Sequence, residues 1–154
     1  LMAFQNKEPG FENIKKKFIL PDALTGLSKK LCSHYKINSM IDISDGLSTD
    51  INHICEESGC GAVIFGEKIP LSEEYILFSE KYGLKKIDFA VSSGEEFELL
   101  FTSSDESIPE NLKILDRKIT KIGTIAEKSA GVTLISEDKQ FMPINSKGYE
   151  HFKS

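Results

Sequence analysis

Apolar residues recur at helical spacing in three parts of the chain. The first part covers residues 22–35, and the second covers residues 47–58 and stops at Gly59. The third runs from Ser72, which suits an N-cap, to Tyr82. Amphipathic helices show this period of 3.6 residues, so we predict three helices here. The predicted apolar face of the second helix consists of Leu47, Ile51, Ile54, Cys55 and Ser58.

Shorter apolar runs predict strands, because strands are brief and rich in β-branched and aromatic residues. The predicted strands cover residues 39–43, 61–65, 95–103, 118–126, 131–136 and 141–144. The run at 95–103 has the composition of a central strand. Helices and strands alternate early in the chain, whereas strands cluster late. The pattern therefore predicts an α/β (α+β type) domain with a mixed β-sheet flanked by helices. Residues 1–20 are predicted to be a linker or a short helix, and residues 21–154 a single domain.

Composition and charge exclude several classes of function. The chain has 154 residues and a formal net charge of −5, and Arg117 is its single arginine. A nucleic-acid surface needs clustered basic residues, so no nucleic-acid partner is expected. No apolar stretch reaches the length of a membrane span, so no membrane partner is expected. Phosphate chemistry would have to depend on metal ions, lysines or backbone amides.

The three cysteines, Cys32, Cys55 and Cys60, contain no CxxC pair. This usage is typical of reduced thiols in a cytoplasmic protein. Cys55 lies on an apolar helical face, and the four-ligand spacing of a zinc site is missing, so we predict a buried thiol. The first residue is leucine rather than methionine, which suggests a piece of a longer chain.

A group of polar residues stands where the strand at 39–43 gives way to the second helix. Asp42 and Ser44 start on one face of the strand, and a turn would bring Asp45 to the same place. Oxygen ligands suit Mg²⁺, which usually joins one or two carboxylates to substrate phosphates, and Gly46 would let a ligand approach the backbone. The simpler interpretation is that Ser44 or Asp45 caps the helix and Asp42 is a solvated strand end. Spacing alone favours the cap.

A second acidic group, Glu95, Glu96 and Glu98, follows Gly94 at the start of the strand at 95–103. These side chains would either face a cleft or lie in solvent at a strand end. Near the end of the chain, Tyr149 would either stack on a flat ring or cover the edge of the core. The residues themselves leave both pairs of interpretations open.

The segments "IDISDGLSTDINHI", "SGCGA", "SGEEFELLF", "KIGTI" and "GYEHF" follow one another in an order that resembles one known family. From about residue 20 to its end, the chain resembles the C-terminal half of thiamine-monophosphate kinase. That family belongs to a wider group with aminoimidazole ribonucleotide synthetase. The resemblance implies a three-layer C-terminal domain that transfers the γ-phosphate of ATP to thiamine monophosphate, giving thiamine diphosphate.

The resemblance also implies roles for individual residues. Asp42 and Asp45 would be Mg²⁺ ligands, and Ser44 would contact an ATP phosphate. Glu95 and Tyr149 would border the thiamine monophosphate pocket, while no residue is expected to act as a catalytic base. The family usually has Gly-Gly-Glu-Asp-Tyr where this chain has the segment 93–97, Ser-Gly-Glu-Glu-Phe. We therefore assign no role to the fourth and fifth residues of that segment.

The family's N-terminal ATP- and Mg²⁺-binding domain, through which it forms a homodimer, is not part of this sequence. We therefore expect that these 154 residues alone are not a competent kinase. Three alternatives stay open. The chain could be another ATP-using member of the wider group with a different acceptor, or a non-catalytic module that binds a phosphorylated ligand. The last alternative is a phosphatase of the haloacid dehalogenase type, although two residues separate Asp42 from Asp45 where that family has one.

Overall fold

A computed structural model describes residues 10–20, 24–94 and 98–144 of the protein. The helices in these ranges are α1 (Glu12–Ile19), α2 (Thr25–His34), α3 (Leu47–Ser58), α4 (Glu73–Lys81) and α5 (Lys86–Ser92). The strands are β1 (Ile37–Asp42), β2 (Gly61–Phe65), β3 (Leu99–Ser103), β4 (Lys113–Ile114), β5 (Arg117–Lys118), β6 (Gly123–Ala126), β7 (Val132–Ile135) and β8 (Phe141–Pro143). Single 3-10 turns cover Gly66–Lys68 and Lys128–Ala130.

The main sheet is mixed and has the strand order β6-β2-β7-β8. Strand β2 pairs antiparallel with β6 and parallel with β7, and β8 pairs antiparallel with β7. A separate ladder joins β1 and β3 antiparallel, and β4 pairs with β5 in a short hairpin. The predicted fold class, a mixed sheet flanked by helices, is confirmed.

The hydrophobic core lies between the main sheet, the β1–β3 ladder and two helices. Its buried residues are Leu47, Ile51, Ile54, Cys55, Ala62, Ile64, Ile87, Val91, Leu100, Val132 and Leu134. Helix α3 contributes four of them, because its apolar residues recur along one face. The core thus fixes the position and rotation of α3, and with them the corner that precedes this helix.

Several details of the predicted elements are wrong; the run predicted as one strand at 118–126, for example, is in strands only at Lys118 and over Gly123–Ala126. Ser58 was placed on the buried face of α3 but is exposed, because it lies in the last turn of the helix. The composition of the run at 95–103 predicts a central strand, yet β3 begins only at Leu99 and, among the described residues, pairs with β1 alone. Helix α5 was missed, although Ile87 and Val91 are buried at a helical spacing of four residues.

Helix α1 packs on α4 through a hydrogen bond from the backbone of its first turn and through an aromatic contact. The backbone N–H of Ile14 donates to Glu74 Oε2 at 2.7 Å, and the ring of Phe11 meets that of Phe78 edge to face, with centroids 5.3 Å apart. Residues 1–20 were predicted to be a linker or a short helix; a helix is found at Glu12–Ile19.

Candidate functional site

The corner between β1 and α3 carries the polar residues that the sequence singled out. Strand β1 ends at Asp42, and the next backbone N–H, that of Ile43, donates to the carbonyl oxygen of Glu98 at 2.9 Å. Asp42, Ser44 and Asp45 are exposed, whereas everything from Gly46 to Asp50 is buried. The chain therefore presents two carboxylates and one hydroxyl to solvent at the start of a helix whose first turn is buried.

The cap interpretation of this corner is wrong. The N-cap of α3 is Gly46, with φ 103° and ψ 151°, and it provides no side-chain cap. Within the described residues, the side chains of Asp42, Ser44 and Asp45 make no hydrogen bond or ion pair. Because none of these three side chains caps the helix, their oxygen atoms remain available to a ligand.

A residue that the sequence analysis missed holds the corner in place. Asp50, in the first turns of α3, is 1% exposed, and its Oδ2 accepts hydrogen bonds from two backbone amides. The N–H of Ser44 lies 2.9 Å away and the N–H of Asp45 lies 3.2 Å away. On its other side, Oδ1 lies 3.9 Å from Nδ1 of His53, which is too far for a hydrogen bond.

The position of Asp50 in the sequence could have indicated its role. It stands three residues after Leu47 and four before Ile54, so it interrupts the apolar face of α3. An acid is almost never fully buried without hydrogen-bond partners. An aspartate on a core-facing stripe near a helix start thus predicts a bond to nearby amides.

The corner also packs backbone to backbone against the chain that follows α5. A Cβ atom added at Gly46 would lie 2.8 Å from the carbonyl oxygen of Ser93, and one added at Gly94 would lie 2.8 Å from that of Ser44. Glycine is needed at both positions because a real side chain would clash with backbone. Gly94 and Glu98 therefore both contact the corner, one through packing and one through a hydrogen bond.

The other predicted site residues, Glu95 and Tyr149, lie outside the described residues, as do Glu96 and Phe97. The only acid of the second acidic group within the described ranges is Glu98, which is half-buried. Its backbone, rather than its carboxylate, makes the bond to Ile43 described above.

The donor set at the corner fits part of a hard-cation site. Exposed carboxylate and hydroxyl oxygens are suitable ligands for Mg²⁺, which commonly takes one or two carboxylates and completes its shell with phosphates and water. Within residues 10–20, 24–94 and 98–144, no group of three or more His, Cys, Asp or Glu side chains is placed to hold a metal ion. The corner thus offers a partial site rather than a closed protein cage.

Cys55 offers no alternative chemistry. Cys55 is buried, as predicted, and burial together with the neighbouring Cys60 raises the pKa of its thiol to about 12. A thiol with this pKa stays protonated near neutral pH and is a poor nucleophile and metal ligand.

Among the described helices, none is long and apolar enough to cross a membrane.

Comparison with known proteins defines the class first. Residues 14–135 match the family described as AIR synthase related protein, C-terminal domain. This match covers more than half of the chain, so the chain belongs to that family.

Relatives found by sequence similarity then identify which member of this family the chain resembles. The chain is 38% identical over 115 residues to thiamine-monophosphate kinase of Aquifex aeolicus, covering 75% of this chain and 34% of the relative. It is 42% identical over 118 residues to thiamine-monophosphate kinase of Pyrococcus horikoshii, with 75% and 34% covered. The resemblance to thiamine-monophosphate kinase that the motifs predicted is confirmed.

Solved structures agree with this assignment. A crystal structure of thiamine monophosphate kinase from Aquifex aeolicus superposes with a TM-score of 0.73 at 31% identity, covering 92% of this chain and 45% of that one. AaThiL complexed with AMPPCP and TMP gives a TM-score of 0.76 at 31% identity, covering 98% and 45%. The hydrogenase maturation protein HypE of E. coli, at 18% identity and a TM-score of 0.64, shares the fold. The chain spans about a third of the sequence relatives' length and less than half of these structures.

Proposed function

We propose that this chain supplies the C-terminal half of the active site of an ATP-dependent kinase that phosphorylates thiamine monophosphate to thiamine diphosphate. The observation that carries the proposal is the corner itself. It exposes Asp42, Ser44 and Asp45 with no side-chain partner in the described part of the chain, and Asp50 holds its backbone from below. The similarity to thiamine-monophosphate kinases supplies the identity of the reaction.

In this proposal Asp42 and Asp45 hold Mg²⁺, which would neutralise the charge of the transferring phosphate. Phosphoryl transfer depends on positioning and charge stabilisation more than on covalent chemistry, so a base within this half is not required. Ser44 contacts a phosphate of ATP through its hydroxyl group, because its backbone N–H is already bonded to Asp50.

The acceptor would bind next to the same corner. We propose that Glu95 and Tyr149 border the thiamine monophosphate pocket, as in the family whose motifs they match. Support for the placement of Glu95 comes from its described neighbours. Gly94 packs against the carbonyl of Ser44, and the carbonyl of Glu98 accepts from Ile43, so the residues on both sides of the segment 95–97 contact the corner.

The remaining parts of the proposal concern the whole protein. Residues 21–154 form the C-terminal kinase domain, while a further N-terminal domain brings more metal ligands and forms a homodimer. The full protein works in the cytoplasm on thiamine monophosphate and Mg-ATP. These 154 residues alone do not catalyse the phosphorylation of thiamine monophosphate.

The test is thiamine diphosphate formation from thiamine monophosphate and Mg-ATP. Four samples are compared: the full natural gene product, its Asp45→Asn variant, its Asp116→Asn variant and the 154-residue chain. Asp116 is the matched control, since it is an exposed aspartate in the β4–β5 turn, and its φ of 61° is one that asparagine tolerates. We expect product from the full protein and from Asp116→Asn. In Asp45→Asn, the loss of one metal-binding carboxylate should lower kcat/KM by roughly a hundredfold, which corresponds to about 2.7 kcal/mol of transition-state stabilisation.

Other outcomes reject parts of the proposal. ATP consumption by the full protein without thiamine diphosphate would retain the fold and reject the acceptor, favouring another ATP-using relative. Normal product formation by Asp45→Asn would remove the corner from the active site. Product from the 154-residue chain alone would contradict the half-site assignment.

A further inference from the structure

The buried carboxylate of Asp50 has a geometry that suits a task beyond helix stability. One oxygen, Oδ2, accepts hydrogen bonds from the consecutive amides of Ser44 and Asp45, six and five residues earlier in the chain. Consecutive backbone N–H groups that point to one place form a concave site for an anion. Here the protein fills that site with its own acid.

This arrangement changes the chemistry that the corner can perform. The free amides at a helix N-terminus ordinarily attract phosphate directly. In this protein two of the amides before α3 are taken by Asp50, while the amides of Thr49 and Asp50 donate to the carbonyl of Gly46 at 3.0 Å each. The amides of Ser44 and Asp45 are thus closed to a phosphate, and the exposed carboxylates of Asp42 and Asp45 lie beside them.

We infer that Asp50 is a positioning residue that locks the Ser44–Asp45 backbone, so that Asp45, with Asp42 beside it, is held in place to take up a divalent cation. The inference rests on the proposed function, in which Asp42 and Asp45 hold Mg²⁺, and adds the residue on which their placement depends. Asp50 touches neither metal nor substrate in this scheme. It acts through two hydrogen bonds to the backbone that carries the ligands.

The alternative is that Asp50 only stabilises the fold. Burial alone is compatible with that role, since an acid bonded to two amides contributes to stability wherever it lies. The two roles differ in what a folded variant does. A purely structural residue changes the free energy of unfolding and leaves the Mg²⁺ requirement of the folded enzyme unchanged.

The experiment uses Asp50→Asn and Asp50→Ala, each made in the full natural gene product and in this chain. Asparagine keeps one oxygen that can accept from both amides, whereas alanine keeps none. Thr49→Val is the matched control, because Thr49 is 6% exposed and its hydroxyl has no hydrogen-bond partner within the described residues. Valine preserves its shape.

Two readouts are made on every variant. The first is the amide proton shift and hydrogen exchange of Ser44 and Asp45 by nuclear magnetic resonance in this chain, which needs no enzymatic activity. The second is the Mg²⁺ concentration for half-maximal rate, with kcat at saturating Mg²⁺, in the full protein. We expect Asp50→Ala to lose protection of both amides and to raise the Mg²⁺ requirement roughly 10- to 100-fold, as the loss of residues that orient metal ligands commonly does. Asp50→Asn should retain the amide bonds with a few-fold change, and Thr49→Val should match the parent.

The two readouts separate the inference from the proposed function. If no sample makes thiamine diphosphate, the proposed function fails, and Mg²⁺ titration of the same amide signals then decides the role of Asp50. A folded variant that loses the amide hydrogen bonds but keeps the parent's Mg²⁺ requirement overturns the inference. Should Asp50→Ala fail to fold, Asp50→Asn tests the inference, because a neutral amide oxygen accepts hydrogen bonds more weakly than a carboxylate. Weaker bonds to the Ser44 and Asp45 amides with a few-fold higher Mg²⁺ requirement would support the inference, and weaker bonds with the parent's Mg²⁺ requirement would overturn it.

Discussion

Asp45 and Asp50 carry the same carboxylate group five residues apart, but their different surroundings give them different roles. Asp45 is exposed and has no side-chain partner among the described residues, whereas Asp50 is buried and accepts two amide hydrogen bonds. Sequence reasoning found the first because it precedes a helix next to Asp42 and Gly46. It missed the second because nothing in spacing alone says which amides a buried carboxylate will reach. Burial is a property of the folded chain, and only the interrupted apolar face of α3 hinted at it.

Gly46 gives the first prediction at the scale of single residues. Its φ of 103° with ψ of 151° belongs to a region that is essentially restricted to glycine, and an added Cβ would lie 2.8 Å from the carbonyl oxygen of Ser93. We expect Gly46→Ala to lower the free energy of unfolding by roughly 1–3 kcal/mol from backbone strain alone, with a further loss from the clash. Urea unfolding of this chain measures the change.

Gly83→Ala is the matched control for this prediction. Gly83 has φ 61°, and a Cβ there meets no heavy atom within 4 Å, so only the left-handed backbone is penalised. The cost should be about 1 kcal/mol. Equal losses at the two positions would show that the close approach of the Ser93 segment to the corner contributes nothing.

At the scale of elements, the pattern predicted helices well where the apolar period was long. Residues 47–58 form α3 with the predicted bounds, and Ser72 caps α4 by accepting from the N–H of Tyr75 at 3.1 Å. Helix α5 was missed because it has only seven residues, and a single buried pair, Ile87 and Val91, does not establish a period. The short β4–β5 hairpin escaped for a similar reason, since each strand has two residues.

Helix α1 provides the prediction for this scale. It has no side-chain cap of its own, because its N-cap is Phe11 in the left-handed region. Glu74 of α4 replaces the cap by accepting from the N–H of Ile14 at 2.7 Å. We expect Glu74→Ala to lower the free energy of unfolding by about 1 kcal/mol and to speed hydrogen exchange across α1.

Glu73→Ala separates this cap from the general effect of charge. Both glutamates lie in the first turn of α4, where an acid interacts favourably with the helix dipole. Glu73 is exposed, and the described residues show no contact between it and α1. Hydrogen exchange in α1 should therefore be unchanged in Glu73→Ala, and acceleration equal to that of Glu74→Ala would contradict the cap.

At the scale of the whole molecule, the sequence predicted a mixed sheet but neither its strand order nor the separate β1–β3 ladder. Those features follow from which strands meet after folding. Strand β2 pairs with β6 and β7, which lie some sixty to seventy residues later in the chain. Likewise, the pairing of β1 with β3 brings the Glu98 backbone to the corner at Ile43, a contact between residues far apart in sequence. The motifs located the corner, and the topology determines what lies beside it.

The charge of the molecule yields the last prediction. The chain carries a formal net charge of −5, and its proposed ATP site exposes two carboxylates, so ATP alone should be repelled. With Mg²⁺ present, the metal joins these carboxylates to the phosphates. We expect Mg²⁺ and ATP together, but neither alone, to raise the thermal midpoint of this chain. At a ligand concentration tenfold above Kd the gain is about 1.4 kcal/mol, or roughly 3–6 °C for a domain of this size.

The double variant Asp42→Asn, Asp45→Asn should lose this response, and Asp116→Asn should keep it. The double variant also removes two negative charges, so simple repulsion of ATP falls while metal binding is lost. A cation-dependent corner therefore predicts that, in the double variant, Mg²⁺ and ATP together raise the thermal midpoint no more than ATP alone does. A response to ATP alone in the parent chain would mean that backbone or lysine groups elsewhere hold the phosphates.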